Sequence, residues 1–172
     1  SARDLPRYLL SSLLAGVYVG VAVVLLISTS APLVAEGSGM AKLVQGAVFG
    51  VALTLVVFAG SELFTGNAMV MLQGLSKRTV GAGGLAAVWV VSLVGNLVGS
   101  VLFAAVVHGG GTLGAEAPAR LLESVIDGKA ALSGPALFWR AVLCNMLVCL
   151  ALWMAARATS DTAKLIVLWW AL

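Results

Sequence analysis

Gly60-Ser-Glu-Leu-Phe-Thr-Gly-Asn67 interrupts the longest apolar run in the chain. A carboxylate, two hydroxyls, an amide and two glycines fall at a depth where a membrane helix should be hydrocarbon. A charge such as Glu62 costs about 2.5 kcal/mol or more there unless it is paired or wetted. Irregular backbone at that depth survives only where it is buried in protein or lines a cavity. A polar, glycine-bracketed break in a spanning helix therefore points to a permeation or substrate site.

The rest of the chain supports the membrane setting. Hydrophobic residues make up 61% and charged residues 10%, and the mean hydropathy is +1.09. A soluble domain carries about 25% charged residues. The net charge of +3 is too small and too scattered for a nucleic-acid surface. Arg3, Asp4 and Arg7 precede an apolar run long enough to span, with no small-residue cleavage site after it, so the start does not read as a signal peptide. Because the chain starts at Ser1, a short N-terminal piece is expected to precede it.

Five apolar stretches stand out against the ~20 residues that a full span needs. The first covers residues 8–28 and is expected to end at Ser30-Ala-Pro32, with a loop at Glu36-Gly-Ser-Gly39. The second, residues 40–75, is too long for one straight span and is cut by the break. The expectation is helix over residues 40–59, a non-helical loop across residues 62–65, and a short helix to residue 75. The third covers residues 85–107 and the fourth residues 135–156, with Pro135 suited to a first helical turn. The fifth begins at Thr162 and is still apolar at Leu172, after about 16 Å of helix. The chain thus reads as a truncated protein, cut inside its fifth span.

Arg3, Arg7, Lys77, Arg78, Arg157 and Lys164 fall on one side if the spans alternate. Lys42, Arg120, Lys129 and Arg140 fall on the other, which puts the N-terminus in the cytoplasm and the loop at residues 108–134 outside. Gly16/Gly20, Gly46/Gly50 and Gly95/Gly99 are small-xxx-small pairs, expected to let backbones approach in a compact bundle. Cys144 and Cys149, five apart, lie on different faces of one helix and should not bridge. The lone His108, with no zinc spacing, Ser-His-Asp set or phosphate loop, leaves no cofactor, metal or catalytic centre to propose.

Three motifs occur in order: the break itself, Gly95-Asn-Leu-Val-Gly-Ser100, and Cys144-Asn-Met-Leu-Val-Cys-Leu-Ala151. Together they resemble the formate/nitrite transporter family, over essentially the whole chain. Gly60-Ser61 before Glu62, Cys144 before Asn145, and Thr162-Ala-Lys164 leading to Trp169-Trp170 look more like its nitrite-channel branch than its formate branch. The resemblance implies an all-α, polytopic membrane protein with an aquaporin-like bundle of broken helices. It implies six spans in two inverted triplets, of which about four and a half are present. Residues 1–172 would form one transmembrane domain, with the first triplet at about residues 8–107 and the second repeat starting at about 135. It also implies a homopentamer in the bacterial cytoplasmic (inner) membrane, surrounded by lipid, with one pore per protomer. The family's central pore histidine and second break would lie beyond Leu172; His108 does not match that position.

Carried over residue by residue, Leu63 and Phe64 match the family's external constriction; without the resemblance they are core residues beside a kink. Thr65 matches the residue that hydrogen-bonds the central histidine; by itself it would cap the helix that restarts after the break. Phe49 and Leu53, four apart on one face, match the cytoplasmic slit, or are plain packing. Asn145 either bridges helices or faces the pore, and the match favours the pore. Asn96 reads as a helix–helix contact, and Glu62 as a partner of backbone donors. Lys129 matches an external-vestibule lysine or is a solvated loop residue, and Lys164 is a snorkelling anchor or a vestibule charge.

The function implied is a channel or transporter, not an enzyme, for a small monovalent anion, nitrite first, with formate or hydrosulfide as alternatives. An oxidoreductase anchor subunit would need haem-ligating histidine pairs within spans. An aquaporin would need Asn-Pro-Ala, and none of the four prolines follows an asparagine.

Overall fold

The computed structural model describes residues 4–171; Arg3, used above for orientation, and Leu172 lie outside the described residues. All regular elements among these residues are helices, in the order α1 (Asp4–Ala35), α2 (Ala41–Phe49), α3 (Val51–Phe58), α4 (Phe64–Ser76), α5 (Ala82–Gly109), α6 (Glu116–Ala130), α7 (Gly134–Arg157) and α8 (Asp161–Trp170). Four stretches are long and apolar enough to cross a membrane: Leu5–Ala35, Ala41–Phe58, Ala82–Gly109 and Gly134–Arg157. The second of these joins α2 and α3 through Gly50, which keeps helical angles, giving about 27 Å of near-continuous helix.

The central contact is α1 against α5. It is close because both helices present glycine there. A Cβ on Gly16 would run into the Asn96 carbonyl, one on Gly99 into the Leu13 carbonyl, and one on Gly95 would lie 2.5 Å from Ser12 Cβ. Small residues at a crossing let van der Waals packing, the main attraction between helices in lipid, reach its full value. Buried serines add little bulk and keep their hydroxyls satisfied: Ser12 Oγ donates to the Tyr8 carbonyl (2.9 Å) and Ser92 Oγ to the Val88 carbonyl (2.7 Å). Ser100 Oγ crosses the interface to the Gly16 carbonyl at 3.2 Å. Gly20 lies under the Phe103 ring, and Gly50 under Trp169, whose Nε1–H donates to the Ala47 carbonyl. Gly46 departs from the expected pairing: it is exposed and nothing lies within 4 Å of its would-be Cβ.

Two apolar clusters hold the remaining helices. Leu53 packs with Val148, Ala151, Ala155 and Leu168, joining α3, α7 and α8. Ile27 and Ala31 pack with Leu121, docking α6 on the far end of α1. Elsewhere α5 and α7 turn wide apolar faces outward, including Leu93, Leu97, Phe138, Trp139 and Leu143. A surface of that kind suits lipid or a second subunit rather than water.

Two expectations from the sequence fail here for identifiable reasons. Pro32 does not end α1, which runs on to Ala35. A proline so near the end removes a single ladder bond. The stop comes from Gly37 at φ 69°, with Ser38 N–H reaching back to the Leu33 carbonyl and Gly37 N–H to the Val34 carbonyl, the Schellman pattern. The segment at residues 108–134 is not a plain loop either, because α6 occupies 15 residues of it. Glu116 in its first turn and Lys129 in its last suit the helix dipole, and Arg120 pairs with Glu116 at i,i+4.

Candidate functional site

The second span breaks because Gly60 can take φ 72°. Ser61 N–H then reaches back to the Val56 carbonyl at 2.9 Å, closing α3. Residues 61–63 are non-helical, and α4 restarts at Phe64. The break thus spans residues 59–63 rather than the expected 62–65, and Phe64 and Thr65 belong to the first turn of α4.

A helix that starts inside a membrane exposes up to four N–H groups with no intrahelical partner. The N-cap residue, Leu63, has no side chain that can serve. The cap comes instead from α5. Asn96 Oδ1 accepts from Phe64 N–H at 2.9 Å, while Asn96 Nδ2 donates to the Glu62 carbonyl (2.9 Å) and the Ser12 carbonyl (2.8 Å). One side-chain amide therefore ties together the break, α5 and α1. The expected helix–helix contact at Asn96 is present, but its main partners are the break's own backbone. Thr65 does not cap α4, as its type alone suggested.

Other bonds hold the break to α1. Glu62 N–H donates to the Ser11 carbonyl at 3.3 Å, and Ser11 Oγ to the Gly60 carbonyl at 3.1 Å. Asn67 Nδ2 donates to Tyr8 Oη at 2.9 Å. The opposite side faces α7. Cys149 S–H donates to the Thr65 carbonyl at 3.5 Å, and the Leu152 side chain closes over Gly66. Asn145 lies one helical turn from Cys149, on the same face of α7.

Among the described residues, Ser61 Oγ, Thr65 Oγ1, Asn145 Oδ1 and, on α5, Trp89 Nε1 are buried without a hydrogen-bond partner. A buried polar atom left unpaired costs about 1–3 kcal/mol. Two hydroxyls and an amide, set at the break and on the α7 face beside it, form an unsatisfied polar set within an otherwise apolar bundle. The N-terminus of α4 adds a positive dipole end at the same place. Phe64 packs edge-on against Trp89, with ring centroids 6.3 Å apart.

Among the other candidates, Leu53 adjoins the break, because Leu63 packs against the cluster that buries it. Phe49 ends α2 and is half-buried, and Leu53 is only 1% exposed, within the α3–α7–α8 cluster. Lys129 is exposed at the end of α6. Lys164 pairs with Asp161 at 3.3 Å in the first turn of α8. Cys144 and Cys149 are free thiols. No metal-binding group of His, Cys, Asp or Glu occurs among the described residues.

The formate/nitrite transporter family model matches residues 1–172. The chain belongs to the formate/nitrite transporter family. It is 40% identical over 172 residues to the "Nitrite transporter NirC" of Salmonella typhimurium, covering 100% of this chain and 62% of that protein. It is 38% identical over 182 residues to a "Probable formate transporter" of Methanothermobacter thermautotrophicus, covering 96% and 66%. Among solved structures, an "FNT family ion channel" superposes with a TM-score of 0.90 at 41% identity, over 99% of this chain and 67% of that one. A "Pentameric formate channel with formate bound" gives 0.88 at 26% identity, over 99% and 68%. The chain therefore spans a little under two thirds of the length of the nitrite transporter it matches. Family membership makes it a multi-pass membrane protein of a transporter family rather than an enzyme, and the broken α3–α4 span matches the helical architecture of those channels.

Proposed function

We propose that the intact protein is a pore for a small monovalent anion in a bacterial cytoplasmic membrane, with nitrite as the preferred ion and its N-terminus in the cytoplasm. The observation that carries this reading is the pair of unpaired hydroxyls, Ser61 and Thr65, at a helix break, with the Asn145 amide on the α7 face beside them. Hydroxyl and amide N–H groups can donate to an anion as it sheds water, and a helix N-terminus favours negative charge. Leu63 and Phe64 form the outer narrowing and Phe49 and Leu53 the inner one, where apolar walls penalise a bare charge. Lys129 outside raises the local anion concentration, whereas the charge of Lys164 inside is offset by its pairing with Asp161. Relatives named for nitrite and for formate favour these two ions, with hydrosulfide as a further candidate of like size and charge. Five copies in a ring would cover the apolar faces of α5 and α7, as cyclic symmetry allows. The formate-bound relative is a pentamer by description.

The test is nitrite flux into liposomes carrying the intact protein, with Lys129→Ala beside the parent. The parent should conduct nitrite. Lys129→Ala should lower flux several-fold at low nitrite and low salt, and the deficit should vanish near 1 M salt, where the Debye length is about 3 Å. No nitrite or formate flux from folded parent protein overturns the function. Equal flux by both proteins at every salt concentration removes Lys129 from the path. Leu53 is unsuited to the same use, since truncating so buried a leucine costs about 2–5 kcal/mol whatever its part in the slit.

A further inference from the structure

We infer that Asn96 is a positioning residue that sets the width of the outer narrowing, and with it the size selectivity of the pore. This rests on the pore reading above. The peptide groups on either side of Leu63 both end on the same side-chain amide: the Glu62 carbonyl on Nδ2 and the Phe64 N–H on Oδ1. The second Nδ2 hydrogen is fixed to the Ser12 carbonyl of α1. The amide is planar, so these three bonds set where Leu63 stands relative to α1 and α5 together.

The base of this clasp cannot drift. The Asn96 backbone lies at the closest approach of the two helices, its carbonyl beside Gly16. That carbonyl also accepts from Ser100 Oγ at 2.9 Å. The loop is also held on its α3 side by Ser61 N–H, Glu62 N–H and the Ser11–Gly60 bond, and Leu63 itself packs against the Leu53 cluster while its carbonyl accepts from Asn67 N–H. Among the described residues, nothing but Asn96 is bonded to the Phe64 N–H. Asn96 itself touches no part of the proposed path; it acts through Leu63 and Phe64.

The experiment is the ratio of nitrite to glycerate flux in liposomes at pH 7.5, each corrected for protein-free vesicles. It compares the parent, Asn96→Ala, Asn96→Gln, Leu63→Ala and the double variant Asn96→Ala/Leu63→Ala. Ser92→Ala is the control: Ser92 is buried on the same helix, one turn away, its hydroxyl donates to the Val88 and Trp89 carbonyls, and among the described residues it makes no bond to residues 60–64. The ratio should fall about tenfold in Asn96→Ala and several-fold in Asn96→Gln, and stay at the parent value in Ser92→Ala. The Asn96 and Leu63 effects should be less than additive in the double variant, because both act on one aperture. A merely structural asparagine would lower both fluxes together and leave the ratio alone. An unchanged ratio in either folded Asn96 variant, or failure of both to fold, overturns the assignment. A parent that conducts neither anion contradicts the pore reading instead.

Discussion

Gly99→Leu should remove the folded protein from the membrane. A single methyl at this position already overlaps the Leu13 carbonyl, which is backbone and cannot rotate away. Relief requires α1 and α5 to separate, and that undoes the Asn96 clasp and the Ser100–Gly16 bond as well. Ordinary overpacking costs about 1–3 kcal/mol because side chains can give; here the cost exceeds that range. Fluorescence-detected size exclusion after graded heating measures the outcome. Gly99→Leu should yield little or no folded material, whereas Gly83→Ala on the same helix, where nothing lies within 4 Å, should melt as the parent does. A Gly99→Leu protein with parental thermal stability would show that the close α1–α5 crossing is absent in the membrane.

Asn145→Leu should separate stability from transport. The buried Oδ1 has no partner among the described residues, so its removal relieves about 1–3 kcal/mol of desolvation cost. If the amide faces the path, nitrite loses a donor at the point where it is least hydrated. Losing about 1.4 kcal/mol of stabilisation there lowers flux about tenfold. The expected result is a protein at least as heat-stable as the parent with nitrite flux down tenfold or more. A destabilised protein with flux per folded channel unchanged would make Asn145 a bridge between helices.

The sequence reveals the break because polar residues in an apolar run have so few physical excuses. Its exact extent was not legible. Thr65 and Phe64 look like loop residues by type and position, yet α4 starts at Phe64 because its first N–H finds Asn96, 32 positions away. Asn96 was visible as a membrane-depth asparagine between Gly95 and Gly99; that it caps a different helix is a tertiary fact with no local signature. The glycine pairs pointed to close backbone approach in a bundle, but not to the α1–α5 crossing where Gly16, Gly95 and Gly99 meet, nor to Gly46 facing outward. Helix α6 is hidden by its mixed composition and by the glycines at 109–111 that precede it. The Glu116–Arg120 spacing and the acid-first, base-last arrangement were the available signals. Pro32 misled for the opposite reason: a strong local breaker sat so near the end of α1 that little remained to break.

Ser61→Cys in a Cys144→Ala/Cys149→Ala background tests most directly whether the anion passes through the break. Ser61 Oγ is one of the unpaired buried atoms, so a thiol there takes the place of a group proposed to meet the ion. Reconstituted protein is treated with a small anionic methanethiosulfonate, and nitrite flux is followed alongside the extent of modification. The pore account predicts that modification stops nitrite flux and that added nitrite slows the modification. Complete modification with nitrite flux unchanged would contradict it.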